Sequence, residues 1–160
     1  MRKIKLTQGK YTLVDDEDYE YLNQWRWHAH ETHSGNFYAE RKSSNQNKKR
    51  ITIRMHREIL RPRENFVCDH INGDGLDNRR INLRICSFSG NVRNSRVRKD
   101  NSSGVKGVYF QKRYRNWKAY IYVNEKYIHL GCFKNVQGAA LAYNRAAQKY
   151  CGKFARLNEV

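Results

Sequence analysis

The feature that most constrains this chain is a change of hydrophobic period between Trp117 and Tyr150. Trp117, Ala119, Ile121 and Val123 alternate with Lys118, Tyr120 and Tyr122, a period of two that puts the apolar residues on one face of a strand. Ile128 and Leu130 continue that face on a following strand, and Val108 and Phe110 do so on a preceding one. Asn124-Glu125 fits the tight turn of a hairpin. Val136, Ala139, Ala140, Tyr143, Ala147 and Tyr150 then recur at spacings of three and four, a helical stripe. Neither apolar face can be left in water, and each is the natural cover for the other. The segment is predicted to be a three-stranded antiparallel sheet packed on one helix, within an α+β chain.

The opposite sheet face carries Tyr109, Gln111, Arg113, Arg115, Lys118, Tyr120, Tyr122, Tyr127 and His129. Exposed aromatics mixed with cations are costly surface unless something binds there. The whole chain has 32 Lys and Arg against 15 Asp and Glu, a net charge of +17 over 160 residues. Such an excess repels itself in a compact state and suits a polyanionic partner. An anionic membrane is the rival to nucleic acid, but the best apolar stripe is needed for the core. No apolar run reaches the roughly 18 residues of a membrane span. The basic N-terminus is not followed by the apolar stretch of a secretory signal. The expected partner is double-stranded DNA, with no membrane and no small-molecule cofactor. Cations would meet phosphates, and Gln, Arg and Tyr could reach base edges.

The runs SSGVKGVYF, NWKAYIYV, IHLGCFKN and GAALAYNRAAQKYCGKFARLN span nearly all of residues 102–158. On them the segment resembles the Apetala-two/ethylene-response-factor (AP2/ERF) DNA-binding domain. The resemblance implies a three-stranded sheet seated in the major groove. Carried over by position, it implies DNA contacts from Lys106, Tyr109, Gln111, Lys118, Tyr120, Tyr122, Tyr127 and His129. Several Arg and Trp positions of the plant domains are Tyr, Gln or His here, so the target sequence is not inherited.

Upstream, Asp15 to Asp18 suit the first turn of a short helix near residues 15–23. Trp25 and Trp27 alternate with Arg26 and His28 and read as a strand, as do Asn36 to Lys42 and Arg50 to Met55. Ile51, Ile53 and Met55 would face one way, and Arg50, Thr52 and Arg54 the other. That gives a small sheet with a basic side, either functional or merely solvated.

The densest chemistry lies in MHREIL at 55–60 and in VCDHINGDGLDNRRINLRICSFSGN at 67–91. Phe66 to His70 reads as a strand, Asn72 to Gly75 as a turn, and Leu83 to Cys86 as a second strand. Ser87 can cap a helix starting at Phe88. Phosphodiester cleavage needs a hard cation held by oxygen ligands and a base for the attacking water. Neighbours on an ideal strand point to opposite faces. A strand end entering a loop could relax that rule, letting Asp69 reach a cation while His70 faces water. Asn91 could add a neutral oxygen to the same ion, and Asn82 could pin the loop or orient the imidazole. Asp74 and Asp77 read as turn residues. His56 reads as a packed histidine or a phosphate contact.

On Asp69-His70, Asn82 before Leu83, and Asn91, residues 51–95 resemble the HNH (ββα-metal) endonuclease family of the phage and homing type. The resemblance implies hydrolysis of double-stranded DNA with one Mg²⁺ or Mn²⁺ per active site. His70 would be the general base, Asp69 and Asn91 the metal ligands, and Asn82 a positioning residue. Zinc is not expected, because the cysteines at 68, 86, 132 and 151 form no close ligand pair. The bland reading of these cysteines is free thiols in a reducing compartment.

The expected organisation is an N-terminal sheet plus HNH module over 1–95, a basic linker over 96–104, and an AP2/ERF-like domain over 105–160. Arg93, Arg96, Arg98 and Lys99 would track the DNA backbone or belong to a solvated tether. The leading expectation is a sequence-directed DNA endonuclease in the cytoplasm or nucleoid of a bacterial or phage-infected host, as monomer or homodimer. The alternative is a DNA-binding regulator with an inactive HNH module. A single-stranded RNA reader is the remoter third possibility.

Overall fold

The computed structural model describes residues 1–44, 49–98 and 100–160. Lys99, expected in the basic linker, lies outside the described residues. The chain divides into two compact units, Met1–Asn91 and Val92–Val160. The first combines short antiparallel sheets with a few short helices and the second a three-stranded antiparallel sheet with one long helix, so the α+β expectation holds at that level.

In the first unit, β1 (Arg2–Lys5) and β2 (Tyr11–Val14) form a hairpin, followed by α1 (Asp16–Leu22). A three-stranded sheet has β4 (Phe37–Ser44) between β3 (His28–Glu31) and β5 (Arg50–Arg54). Helix α2 (Met55–Leu60) leads to a second hairpin of β6 (Val67–His70) and β7 (Leu83–Cys86), and α3 (Phe88–Arg93) follows, its last two residues belonging to the second unit. Ser87 caps it as expected, its Oγ accepting from the Gly90 N–H at 3.2 Å. The core gathers Ile4, Val14, Leu22, Trp27, Ala39, Met55, Ile59 and Leu83 from almost every element.

Two expectations fail here for identifiable reasons. Trp25 and Trp27 are not in a strand. The Trp27 indole N–H donates to the Leu22 carbonyl at 2.8 Å and keeps the chain in an irregular path until β3 begins at His28. Met55 does not share a strand face with Ile51 and Ile53. It opens α2 and is fully buried, whereas Ile51, on the edge strand β5, is exposed.

In the second unit β9 (Asn116–Val123) lies between β8 (Val108–Gln111) and β10 (Lys126–Phe133), and α4 (Val136–Cys151) covers one face. Asn124 and Glu125 turn the hairpin with φ of 50° and 62°, the positive values a primed turn requires. Asn135 caps α4, its Oδ1 accepting from the Gly138 N–H at 2.8 Å. Val108, Ala119, Ile121 and Val123 meet Ala139, Tyr143, Ala146, Ala147 and Cys151. The stripe therefore continues from Ala147 by a step of four to Cys151. Tyr150, expected in the core, is 39% exposed. Phe110, also expected there, is exposed at the sheet end and packs on Trp117 at 5.1 Å.

The end of this unit is tied back to its beginning. Asn158 accepts from the Lys106 N–H at 2.8 Å and donates to the Lys106 carbonyl at 3.1 Å. Its own backbone exchanges two bonds with the Asn144 side chain, at 2.7 and 2.9 Å. The stretch expected as a linker is also held to this unit. Asn101 Nδ2 donates to the Val105 carbonyl, and Ser103 Oγ donates to that of Val108.

Candidate nucleic-acid interface

The exposed face of the second sheet follows from strand register. Paired residues in an antiparallel ladder share a face. Tyr109 pairs with Lys118, His129 with Tyr120, and Tyr127 with Tyr122. Ala119, Ile121 and Val123, one step out of phase, are buried against α4. Gln111 pairs with Asn116 and belongs to the same outward set. The structure thus brings together Tyr109, Gln111, Lys118, Tyr120, Tyr122, Tyr127 and His129. Tyr122 and Tyr127 are 53% and 73% exposed, the reverse of what a tyrosine ring prefers without a partner.

A bulge between His129 and Gly131 shifts the register by one residue. Cys132 consequently pairs with Lys118 and also faces outward, its Sγ 3.9 Å from His129 Nε2 and 3.8 Å from Gln111 Oε1. Strict alternation had hidden this residue; Gly131, with φ of 123°, was the available signal.

The other expected contacts lie off this face. Arg113 and Arg115 belong to the exposed 3-10 turn Lys112–Tyr114 and its cap, between β8 and β9. Lys106 precedes the sheet, and its ammonium donates to the carbonyls of Arg93 and Ser95 at 2.7 and 2.9 Å. Burial pushes the Lys106 pKa down to about 8, against three oxygen acceptors that favour its charged form. Arg93 closes α3 half-buried, while Arg96 is exposed beyond it. Arg98 is paired with Asp100 at 2.8 Å.

In the first unit the expected metal cluster is arranged differently. The β6–β7 ladder stays regular through His70, pairing Asp69 with Arg84 and His70 with Leu83. The two side chains therefore leave opposite faces, and the relaxation expected at the strand end does not occur. Arg84 holds Asp69 Oδ2 through Nε and Nη2, at 2.8 and 2.6 Å. His70 Nε2 meets Asn78 Oδ1 at 3.2 Å, and Asn78 in turn donates to Thr12 Oγ1 at 2.8 Å. His56 is packed edge-on to His70 at 5.0 Å and beside Tyr38 at 5.7 Å. Burial pushes the His56 pKa down to about 3 and lowers that of His70, so both imidazoles are neutral near pH 7. Asn82 pins the loop: its Oδ1 accepts from the Asn72 N–H and its Nδ2 donates to the Asp77 carbonyl. Asp74 and Asp77 are turn residues, as expected, and the Arg79 side chain holds the Asp77 carboxyl below the usual range. Asn91 lies in α3, half-buried. Among the described residues, no three His, Cys, Asp or Glu side chains converge on a common point. Nor is any helix long and apolar enough to cross a membrane.

No protein-family model matches the chain. It is 41% identical over 59 residues to the AP2-like ethylene-responsive transcription factor TOE2 of Arabidopsis thaliana, 37% of this chain and 12% of that protein. It is 40% identical over 57 residues to APETALA2-like protein 2 of Oryza sativa, in both the indica and japonica subspecies, 36% of this chain and 13% of those proteins. The chain thus spans about an eighth of the length of these curated relatives. The AP2-type relatives, one of them named a transcription factor, overturn the expectation of a metal-dependent hydrolase. The partial similarity supports an AP2/ERF-like DNA-binding domain within the chain.

Proposed function

We propose that the chain is a sequence-directed, double-stranded-DNA-binding regulator whose second unit seats its sheet in the major groove. The observation that carries this reading is the register of β8, β9 and β10, which gathers Tyr109, Gln111, Lys118, Tyr120, Tyr122, Tyr127 and His129 on one open face. Three strands spaced about 4.8 Å apart measure roughly 10 Å across their outer backbones. That width suits a major groove about 12 Å wide and not a minor groove of about 6 Å. Lys118, Gln111 and His129 supply donors for base edges or phosphates. Arg113 and Arg115 on the adjoining turn reach for the backbone, as do Arg93 and Arg96. Lys106 acts one step back, fixing the segment that carries Arg93. The first unit adds further positive charge.

The test begins with selection of a preferred duplex from a random pool, using the full chain. Binding is then titrated against that duplex, a scrambled duplex and an RNA strand of matching sequence, at two salt concentrations. The selected duplex should bind at least about 10³-fold more tightly than the scrambled one. Equal affinities would remove sequence direction, and tighter RNA binding would replace duplex DNA as the partner. Supercoiled plasmid incubated with the protein and Mg²⁺ should stay supercoiled. Metal-dependent nicking would overturn the regulator reading.

A further inference from the structure

The exposed sheet face is hollow. Tyr109, Lys118, Tyr120, Tyr127 and His129 line an open concavity of about 390 Å³. Tyr120, on the central strand, meets the Tyr109 ring at 5.7 Å and 65°, and the Tyr127 ring at 5.6 Å and 55°. The rings are inclined to one another, so they form walls around a space and do not stack into a flat platform.

The inference rests on the major-groove reading above. A hollow pressed against the groove floor forfeits dispersion contacts unless something from the DNA enters it. The groove displays donors, acceptors and one apolar group, the C5 methyl of thymine. Three tyrosine rings and no carboxylate line the concavity, so its walls suit an apolar guest beside hydrogen-bonding groups. We propose that this concavity receives pyrimidine C5 methyl groups, directing the chain to duplex sites with thymine at the base step facing Tyr120. Lys118 and His129 in the same lining donate to acceptors beside the methyl, such as thymine O4 or a neighbouring guanine O6 and N7. The volume exceeds what one methyl needs and leaves room for methyls of adjacent base pairs.

The preferred duplex, selected with the full chain, is remade with each thymine replaced in turn by uracil. That exchange removes the methyl and keeps every hydrogen-bonding group. At one or two positions the affinity should fall about fourfold per methyl, the value of one buried carbon group. A cytosine placed at such a position should gain affinity when it carries a C5 methyl. In Tyr127→Ser and Tyr109→Ser the thymine–uracil difference should shrink. A selected site without thymine, or uracil tolerated everywhere, would overturn the inference while leaving duplex binding intact. So would a thymine–uracil difference that survives in both serine variants. Failure to bind any duplex would overturn the DNA reading itself.

Discussion

Arg84 grips Asp69 across the β6–β7 ladder with two nitrogens on one carboxylate oxygen, and the two side chains are only 14% and 6% exposed. The carboxylate that the sequence offers to a cation is occupied by a guanidinium from the directly opposed residue. A buried pair of this kind is expensive to break, because the surviving partner keeps its charge without compensation.

Arg84→Ala should therefore destabilise the first unit by about 3–5 kcal/mol. Urea unfolding followed by the fluorescence of Trp25 and Trp27 would read the loss. Arg84→Lys, which keeps the charge without the planar fork, should fall between wild type and Ala. A loss below about 1 kcal/mol for Ala would mean the pair behaves as a surface ion pair.

Acid should weaken the same unit through its two buried histidines. His56 has a folded pKa of about 3, and that of His70 is lowered too, both by burial. The unfolded chain takes up protons near pH 6.5, where the folded one does not, so stability falls as pH drops below about 6.5. From pH 6.5 to 5 the loss should be about 1.6 kcal/mol for His56 alone. His56→Gln should flatten this part of the stability–pH curve. An unchanged curve would show that the ring takes up its proton while still folded.

Lys118→Ala should weaken DNA binding and reduce the slope of log affinity against log salt by up to about one unit. Its place opposite Tyr109 and Cys132 puts it in the middle of the open face. An unchanged slope would place its ammonium away from phosphate.

Gly107→Ala should disrupt the second unit. Gly107 has φ of 70°, and an added Cβ would overlap the Tyr143 ring beneath the sheet. Tyr143 is a buried core residue that cannot withdraw without opening the sheet–helix interface. The expected cost is several kcal/mol, above the roughly 1 kcal/mol for left-handed backbone alone. Thermal unfolding followed at Trp117 would measure it. A near-wild-type transition would mean the ring has space to move.

The sheet and helix of the second unit were legible because the residues that face α4 alternate without interruption from Trp117 to Val123. Legibility failed where local chemistry overrode periodicity. The bulge at Gly131 reversed the facing of Cys132, and the primary structure offered only the glycine as a hint. Tyr150 fits a step of three from Ala147, yet Cys151, at a step of four, takes the buried position. In the first unit the hairpin and capped helix could be read from Phe66 to Asn91. The partners of Asp69 and His70 could not. Arg84 is one of many arginines, and its pairing depends on ladder register. Asn78 reaches His70 only because the loop folds back onto Thr12.

The Asn158 clasp has a practical consequence for anyone handling this protein. Shortening the chain by only its last few residues would strip the amide that spans Lys106 and Asn144, and so loosen the platform from behind rather than at the open face of its sheet. Affinity handles attached beyond Val160 should leave that buckle fastened. A truncation placed before Asn158 would imitate a binding-site defect while every contact residue was still present.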